Sequence, residues 1–189
     1  MLVKDSRSGY GLVSIALHWS SAFLVAALVW LGWTFTELPR GPERDALAAL
    51  HISLGFLALF LAAARLGWRL ACGMPAAASS RPRVLEERLA RIVHRLLLAV
   101  LLLLPLTGIL TVAATGRTPM PFGLPVPIPL VPQSPLLHEV GETLHVVMAN
   151  FLLLPLVGLH VLGALKHHLL DRDATLRRML RPAAGPAGA

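Results

Sequence analysis

Apolar runs dominate the chain, each ended by a cluster of charge, proline or glycine. Residues 11–36, 46–64, 96–116 and 143–165 carry few or no charges. At about 1.5 Å per residue, each run spans a hydrocarbon core of roughly 30 Å. The pattern predicts an all-α membrane protein, a four-transmembrane-helix bundle in one domain over residues 1–182. Its helices are expected at about 11–36, 45–70, 86–116 and 137–169, with a disordered tail at 183–189. The first run is too long for a signal-peptide core, lacks a small-residue cleavage site and leads into further spans. It therefore reads as a helix.

The breaks fit this division. Helix 1 stops near "ELPRGPE", a turn with two prolines and a glycine. Helix 2 ends around "GWRLACGMPAAASSRPR", a linker of small residues and prolines. Helix 3 starts near Val84 or Glu86 and ends near Gly116. The segment 119–135, "PMPFGLPVPIPLVPQSP", has seven prolines in 17 residues. Proline lacks an N–H and has a fixed φ, which excludes a long helix or a central strand there. It reads either as an ordered, partly polyproline-like loop over the bundle mouth or as a flexible spacer. Helix 4 starts near Leu136, and no internal repeat is visible.

Composition agrees: 56% of the 189 residues are hydrophobic and 14% are charged, against about a quarter charged in a soluble domain. The net charge of +7 is unevenly placed. Fourteen of the 17 Lys and Arg residues lie at the N-terminus, in the 65–95 connection or in the C-terminal tail. The other two connections hold Arg40, Arg44 and Arg117. The positive-inside rule then makes both termini and the middle loop cytoplasmic. The basic excess is a topology signal, so no nucleic-acid partner is expected. The single cysteine, Cys72, excludes an internal disulfide and a cysteine-held cluster.

Histidines are the main ionisable residues inside the apolar runs, where such residues usually face a bundle interior or a cavity. His18 lies a few residues into helix 1, and His160 lies six residues before Lys166 on helix 4. His51 lies six residues after Asp45 on helix 2, and His145 three after Glu142 on helix 4. Antiparallel threading puts His18 level with His160 and His51 level with His145. His145 and His160 are 15 residues apart, about 22 Å along a straight helix. Two imidazole pairs at two depths suit two flat cofactors held in a bundle core. Paired axial imidazoles would saturate a haem iron and favour electron transfer over oxygen binding. Zinc would want acidic or thiolate company in one compact cluster. Fifteen residues leave the two ring directions roughly 60° apart. Pro155 lies between them, where a kink or π-bulge absorbs such a mismatch. Interhelical hydrogen bonding remains the alternative for each histidine taken singly.

Weaker candidates surround these four. Gly55 lies one turn past His51, where a missing side chain admits either a macrocycle or a neighbouring helix. Arg65 and Arg95 either pair with haem propionates or anchor the interface. Trp19, Trp30, Trp33 and Trp68 read as packing or interfacial belt residues.

"IALHWSSAFLV" at 15–25, "LHISLGFLALFLAAARLGWRL" at 50–70, "IVHRLLLAVLLLLPLTG" at 92–108 and "LHVVMANFLLLPLVGLHVLGALKHHLLDRDATLRRML" at 144–180 resemble the bacterial cytochrome b561 family. The resemblance omits only the prolines of 119–135 and the last few residues. It implies four helices, two b haems and quinone-linked electron transfer. By motif, His18 and His160 would hold the cytoplasmic-side haem, and His51 and His145 the outer one. The family usually places its two helix-4 ligands 14 residues apart, so the spacing of 15 is a departure. "ALKHHLLDRD" looks like the family's helix-4 exit. There His167 or His168 would hydrogen-bond a quinone carbonyl or pass it a proton, or simply end the helix. His94, beside Arg91 and Arg95, is a further quinone-site candidate.

The expected protein is a multi-pass cytochrome of the bacterial inner membrane, N-in and C-in, with the lipid bilayer and membrane quinone as partners. It would pass electrons to quinone from superoxide or a periplasmic redox protein. The absence of a long soluble extension suits a stand-alone protein or a small membrane subunit. One alternative is a cytochrome b anchor for a larger dehydrogenase subunit. Another is a small transporter without haem, whose histidines relay protons or bind a metal.

Overall fold

The computed structural model describes residues 2–6, 9–73, 75, 84–128 and 131–183. Arg7, Arg81 and Arg83 of the charge count, most of the 74–83 linker, and the tail residues 184–189 lie outside them. Long helices dominate: α1 (Leu12–Glu37), α2 (Pro42–Cys72), α3 (Val84–Ala113), α4 (Pro135–Val147) and α5 (Leu154–Leu169). A π turn, Met148–Leu153, joins α4 to α5. With that turn, Pro135–Leu169 forms the fourth of the four helices among the described residues that are long and apolar enough to cross a membrane.

Local chemistry sets the helix ends. Pro42 opens α2, where its missing N–H costs nothing, and Glu43 and Asp45 sit against the unpaired N–H groups of the first turn. α3 stops at Ala113, short of the expected 116. The N–H groups of Thr115 and Gly116 fold back onto Val112 and Ala113, and Gly116 takes a φ of +78°, open to glycine at little cost. Ser134 caps α4: its extended backbone presents Oγ to the Leu137 N–H at 3.3 Å, and Pro135 follows at the first helical position.

The π turn stands where Pro155 disturbs the fourth span. Proline donates no bond to the carbonyl four residues back, Phe151, and its ring crowds that turn. Widening the preceding turn relieves the crowding and takes up about one extra residue. Asn150 marks the turn, accepting the Trp33 indole N–H at 3.0 Å and donating to the Val146 carbonyl at 2.9 Å.

Contacts divide the chain into two units, each holding a section of every span. The first comprises Met1–Ser20, Ala63–Leu98 and Leu154–Ala189. In it the N-terminal segment is bonded to the tail: Leu2 N–H donates to Ala183 O at 3.0 Å, and Ala183 N–H to Tyr10 O at 2.9 Å. The Trp19 indole donates to the Met179 carbonyl at 2.8 Å. The Asp5 carboxylate accepts the Gly11 N–H and the Ser14 hydroxyl, each at 2.7 Å, and Trp68 donates to Ser14 Oγ at 3.0 Å. Burial, then Asp5, pushes the Tyr10 phenol above its usual range, against the opposing pull of Arg69, Arg178 and Arg65.

The second unit comprises Ser21–Ala62 and Ala99–Leu153. Here α3 and α4 meet closely at Gly141: a Cβ there would lie 2.9 Å from Thr111 Oγ1 and 3.1 Å from its backbone N. His138 Nδ1 bonds the Thr111 carbonyl at 2.9 Å. Within the proline-rich connection only the three-residue 3-10 turn Pro121–Gly123 is helical among the described residues.

Candidate functional site

Histidine rings approach one another edge-on in each unit. In the second unit, His51 on α2 and His145 on α4 have ring centroids 6.0 Å apart. Their setting keeps space for the rings. A Cβ on Gly32 would come within 3.4 Å of His51 Cε1, and one on Gly108 within 3.2 Å of both Cε1 and Nδ1 of His145. Phe35 packs edge-on to His51 at 5.4 Å.

The backbone fixes the proton on His145. Its Nδ1 lies 3.0 Å from the Leu104 carbonyl and 3.1 Å from Thr107 Oγ1. The Thr107 hydroxyl spends its own hydrogen on Leu104 O, 2.7 Å away. A carbonyl only accepts, so Nδ1 carries the hydrogen and Nε2 keeps its lone pair. This arrangement orients metal-ligating histidines and raises their basicity. His51 Nδ1 is buried, and no hydrogen bond to it is formed among the described residues.

In the first unit three imidazoles cluster. His160 on α5 lies 5.9 Å from His18 on α1 and 5.1 Å from His94 on α3, ring centre to ring centre. Trp19 stacks edge-on against His18 at 5.4 Å. Arg65 Nη2 reaches His18 Nδ1 at 3.5 Å, a long contact in which the guanidinium can only donate. Arg65 thus brings one positive charge to the cluster, which suits it to an anionic group.

The remaining candidates are more peripheral. Arg95 and His168 are exposed. His167 Nδ1 pairs with Asp173 at 2.8 Å and Asp171 at 3.4 Å. Burial works to raise the Asp173 carboxyl, but hydrogen bonds from Thr175 and His167 outweigh it and hold the group below its usual range. Glu86, His167 and Asp171 bring possible metal-ligand atoms within 4.8 Å of one another. Lys166 Nζ, however, sits 2.8 Å from both Glu86 and Asp171 and supplies their cation itself.

The donor set fits haem. Imidazole nitrogens bound at roughly 2 Å on opposite sides of a metal place the ring centres roughly 6 Å apart, close to the 5.9 and 6.0 Å seen here. Sequence reasoning singled out the four rings but missed Thr107, Gly32 and Gly108. The signal for two of these was the "TG" at 107–108, which interrupts a leucine-rich helix.

Apolar spans bearing two close imidazole pairs define a class, the helical proteins of membrane-spanning length with histidines paired between their helices. Residues 9–182 match the family described as prokaryotic cytochrome b561. The chain is 31% identical over 190 aligned positions to cytochrome b561 homolog 2 of Escherichia coli (strain K12), covering all of both chains. It is 28% identical over 183 positions to the probable superoxide oxidase CybB of Yersinia pestis, covering 93% of this chain and 98% of that one. The chain belongs to the prokaryotic cytochrome b561 family, which implies haem b as its cofactor.

Proposed function

We propose that this protein is a dihaem b-type cytochrome of the bacterial inner membrane, with both termini cytoplasmic, that transfers electrons from an extracytoplasmic donor to membrane quinone. The observation that carries this reading is the two close imidazole pairs, His18 with His160 and His51 with His145. Each pair would hold one haem b, whose iron, when bound, accepts and releases one electron at a time.

The chain's own residues then have distinct tasks. Leu104 and Thr107 hold the Nδ1 hydrogen of His145, leaving Nε2 as a ligand. Gly32 and Gly108 leave the rings free of side-chain crowding. Arg65 is suited to a propionate, and turning toward one would release Nδ1 of His18. Arg95 is exposed and would serve a propionate only from the periphery. His94, packed on His160, is the best placed of the three quinone-site candidates. An imidazole can bond a quinone carbonyl and deliver a proton near neutral pH. His167, held by Asp173, and the exposed His168 would pass protons from the cytoplasmic surface.

Superoxide is the favoured donor, supported by the relative named a probable superoxide oxidase. Two superoxide ions would each lose one electron to become dioxygen. Quinone would take those two electrons and two protons to become quinol. The test is haem content in His18→Ala and His51→Ala. Each should lose haem, and retention of both haems in both variants would refute the assignment.

A further inference from the structure

The connection between α3 and α4 carries no charged residue from Thr118 to Leu137, and its first part is built as a closed loop. Val126 N–H donates to Pro119 O at 2.9 Å, Leu124 N–H to Pro121 O at 3.0 Å, and Gly123 N–H to Met120 O at 3.2 Å. Pro119 is fully buried at the base. The loop is tethered to α2: the Phe122 N–H donates to Ser53 Oγ at 2.9 Å, and that hydroxyl donates to the Ala49 carbonyl at 2.8 Å. Ser53 is buried, two residues beyond His51 and eight beyond Asp45. It therefore lies about 12 Å into the helix from that last charge.

Two features of the loop oppose each other unless its surroundings are apolar. Residues 119–127 have only five N–H groups, because Pro119, Pro121, Pro125 and Pro127 have none. Four of the five are bonded within the protein, at Phe122, Gly123, Leu124 and Val126. An irregular backbone enters the membrane interface at lower cost when its N–H groups are already bonded within the protein. Yet the side chains turn outward: Met120 is 55% exposed, Phe122 63% and Leu124 68%. Phe122 is held at a φ of +52°, a disfavoured conformation for a residue with a side chain.

We propose that residues 119–126 form a lipid-inserting loop that places Met120, Phe122 and Leu124 in the membrane interface beside the His51 end of α2. The proposal rests on the membrane-spanning reading of the helices. The four bonded N–H groups lower the cost of leaving water, the carbonyls keep their contact with the hydrated headgroups, and three large apolar side chains supply the gain. Ser53 sets the depth.

The test uses the full-length protein in phosphatidylcholine–phosphatidylglycerol vesicles, with Cys72→Ser removing the only native thiol. A nitroxide is attached at Phe122→Cys, and its collisions with dioxygen and with a water-soluble nickel chelate are compared. Phe151→Cys, at a position 76% exposed on the fourth span, and Glu37→Cys, at the exposed end of α1, provide the lipid and water references. The expected result is an oxygen preference at 122 clearly above that at 37 and below that at 151, repeated with Leu124→Cys. Adding Ser53→Ala should move the 122 label toward the Glu37 value. A label at 122 that meets the chelate as freely as at 37 overturns the proposal, as does one shielded from both reagents by protein. If the 151 label also behaves as in water, the spanning reading itself has failed.

Discussion

Nδ1 of His145 lies 3.0 Å from the carbonyl oxygen of Leu104, so the backbone of α3 fixes the tautomer of a ring on α4. Thr107 Oγ1, 3.1 Å from the same nitrogen, shares that hydrogen. Thr107→Ala leaves Leu104 in place, so haem should be retained at a stability cost of about 1 kcal/mol. The imidazole becomes less basic and ferric iron less favoured. The midpoint potential of one haem should rise by some tens of millivolts, a tenfold shift in preference being about 59 mV for one electron. Thr107→Ser should restore it. A spectroelectrochemical titration reads both, and an unchanged potential in Thr107→Ala would remove Thr107 from this role.

Gly108 tests the space around the same ring. A Cβ there already lies 3.2 Å from two atoms of His145, so Gly108→Ala should displace the imidazole slightly. Gly108→Val, with two further carbons, should abolish ligation at the His51–His145 pair and leave half the haem. Gly32→Ala, whose Cβ meets His51 at an ordinary 3.4 Å, should keep both haems. A haem assay on the three variants checks the ranking.

How far the sequence revealed this site depends on the kind of contact. Depth along a helix follows from counting residues from the nearest charge, which is why the four rings were legible as two pairs. Pro155 was likewise legible as an irregularity, because proline removes a backbone bond wherever it stands. Rotation about the helix axis is harder to read: His94 is one turn from exposed Arg91, and only packing shows that it faces His160. Leu104 contributes a backbone carbonyl, which no side-chain pattern announces. The pairing of Leu2 and Tyr10 with Ala183 joins the two ends of the chain through backbone groups alone, so it too left no mark in the sequence.

Arg65 touches Nδ1 of His18 in a contact that a propionate would relieve. Arg65→Gln should weaken retention of the His18–His160 haem during dilution by roughly tenfold, as expected for losing a charge-assisted bond of about 1.5 kcal/mol, while His51–His145 is unaffected. Stopped-flow haem transfer to an apoprotein acceptor would resolve the two rates. Equal loss from both sites would contradict the assignment.

Asp173 gives the tail an acid limit. Its folded-state carboxyl is held below the usual range, so its contribution is present above that range and is lost as pH falls through the folded value. Asp173→Asn should be less stable than the unmodified protein at neutral pH, by about 1 kcal/mol or less. The difference should close on acidification. Thermal unfolding of the two proteins across the acid range measures it, and a difference that persists under strongly acidic conditions would exclude Asp173 as its source.

The most direct test of the central claim is a reduced-minus-oxidised visible spectrum of the detergent-purified protein, with a pyridine haemochrome count per chain. Two haems b per chain is the predicted result. A colourless protein would contradict the account, and the paired imidazoles would then have to be read as hydrogen-bonding or proton-relay groups.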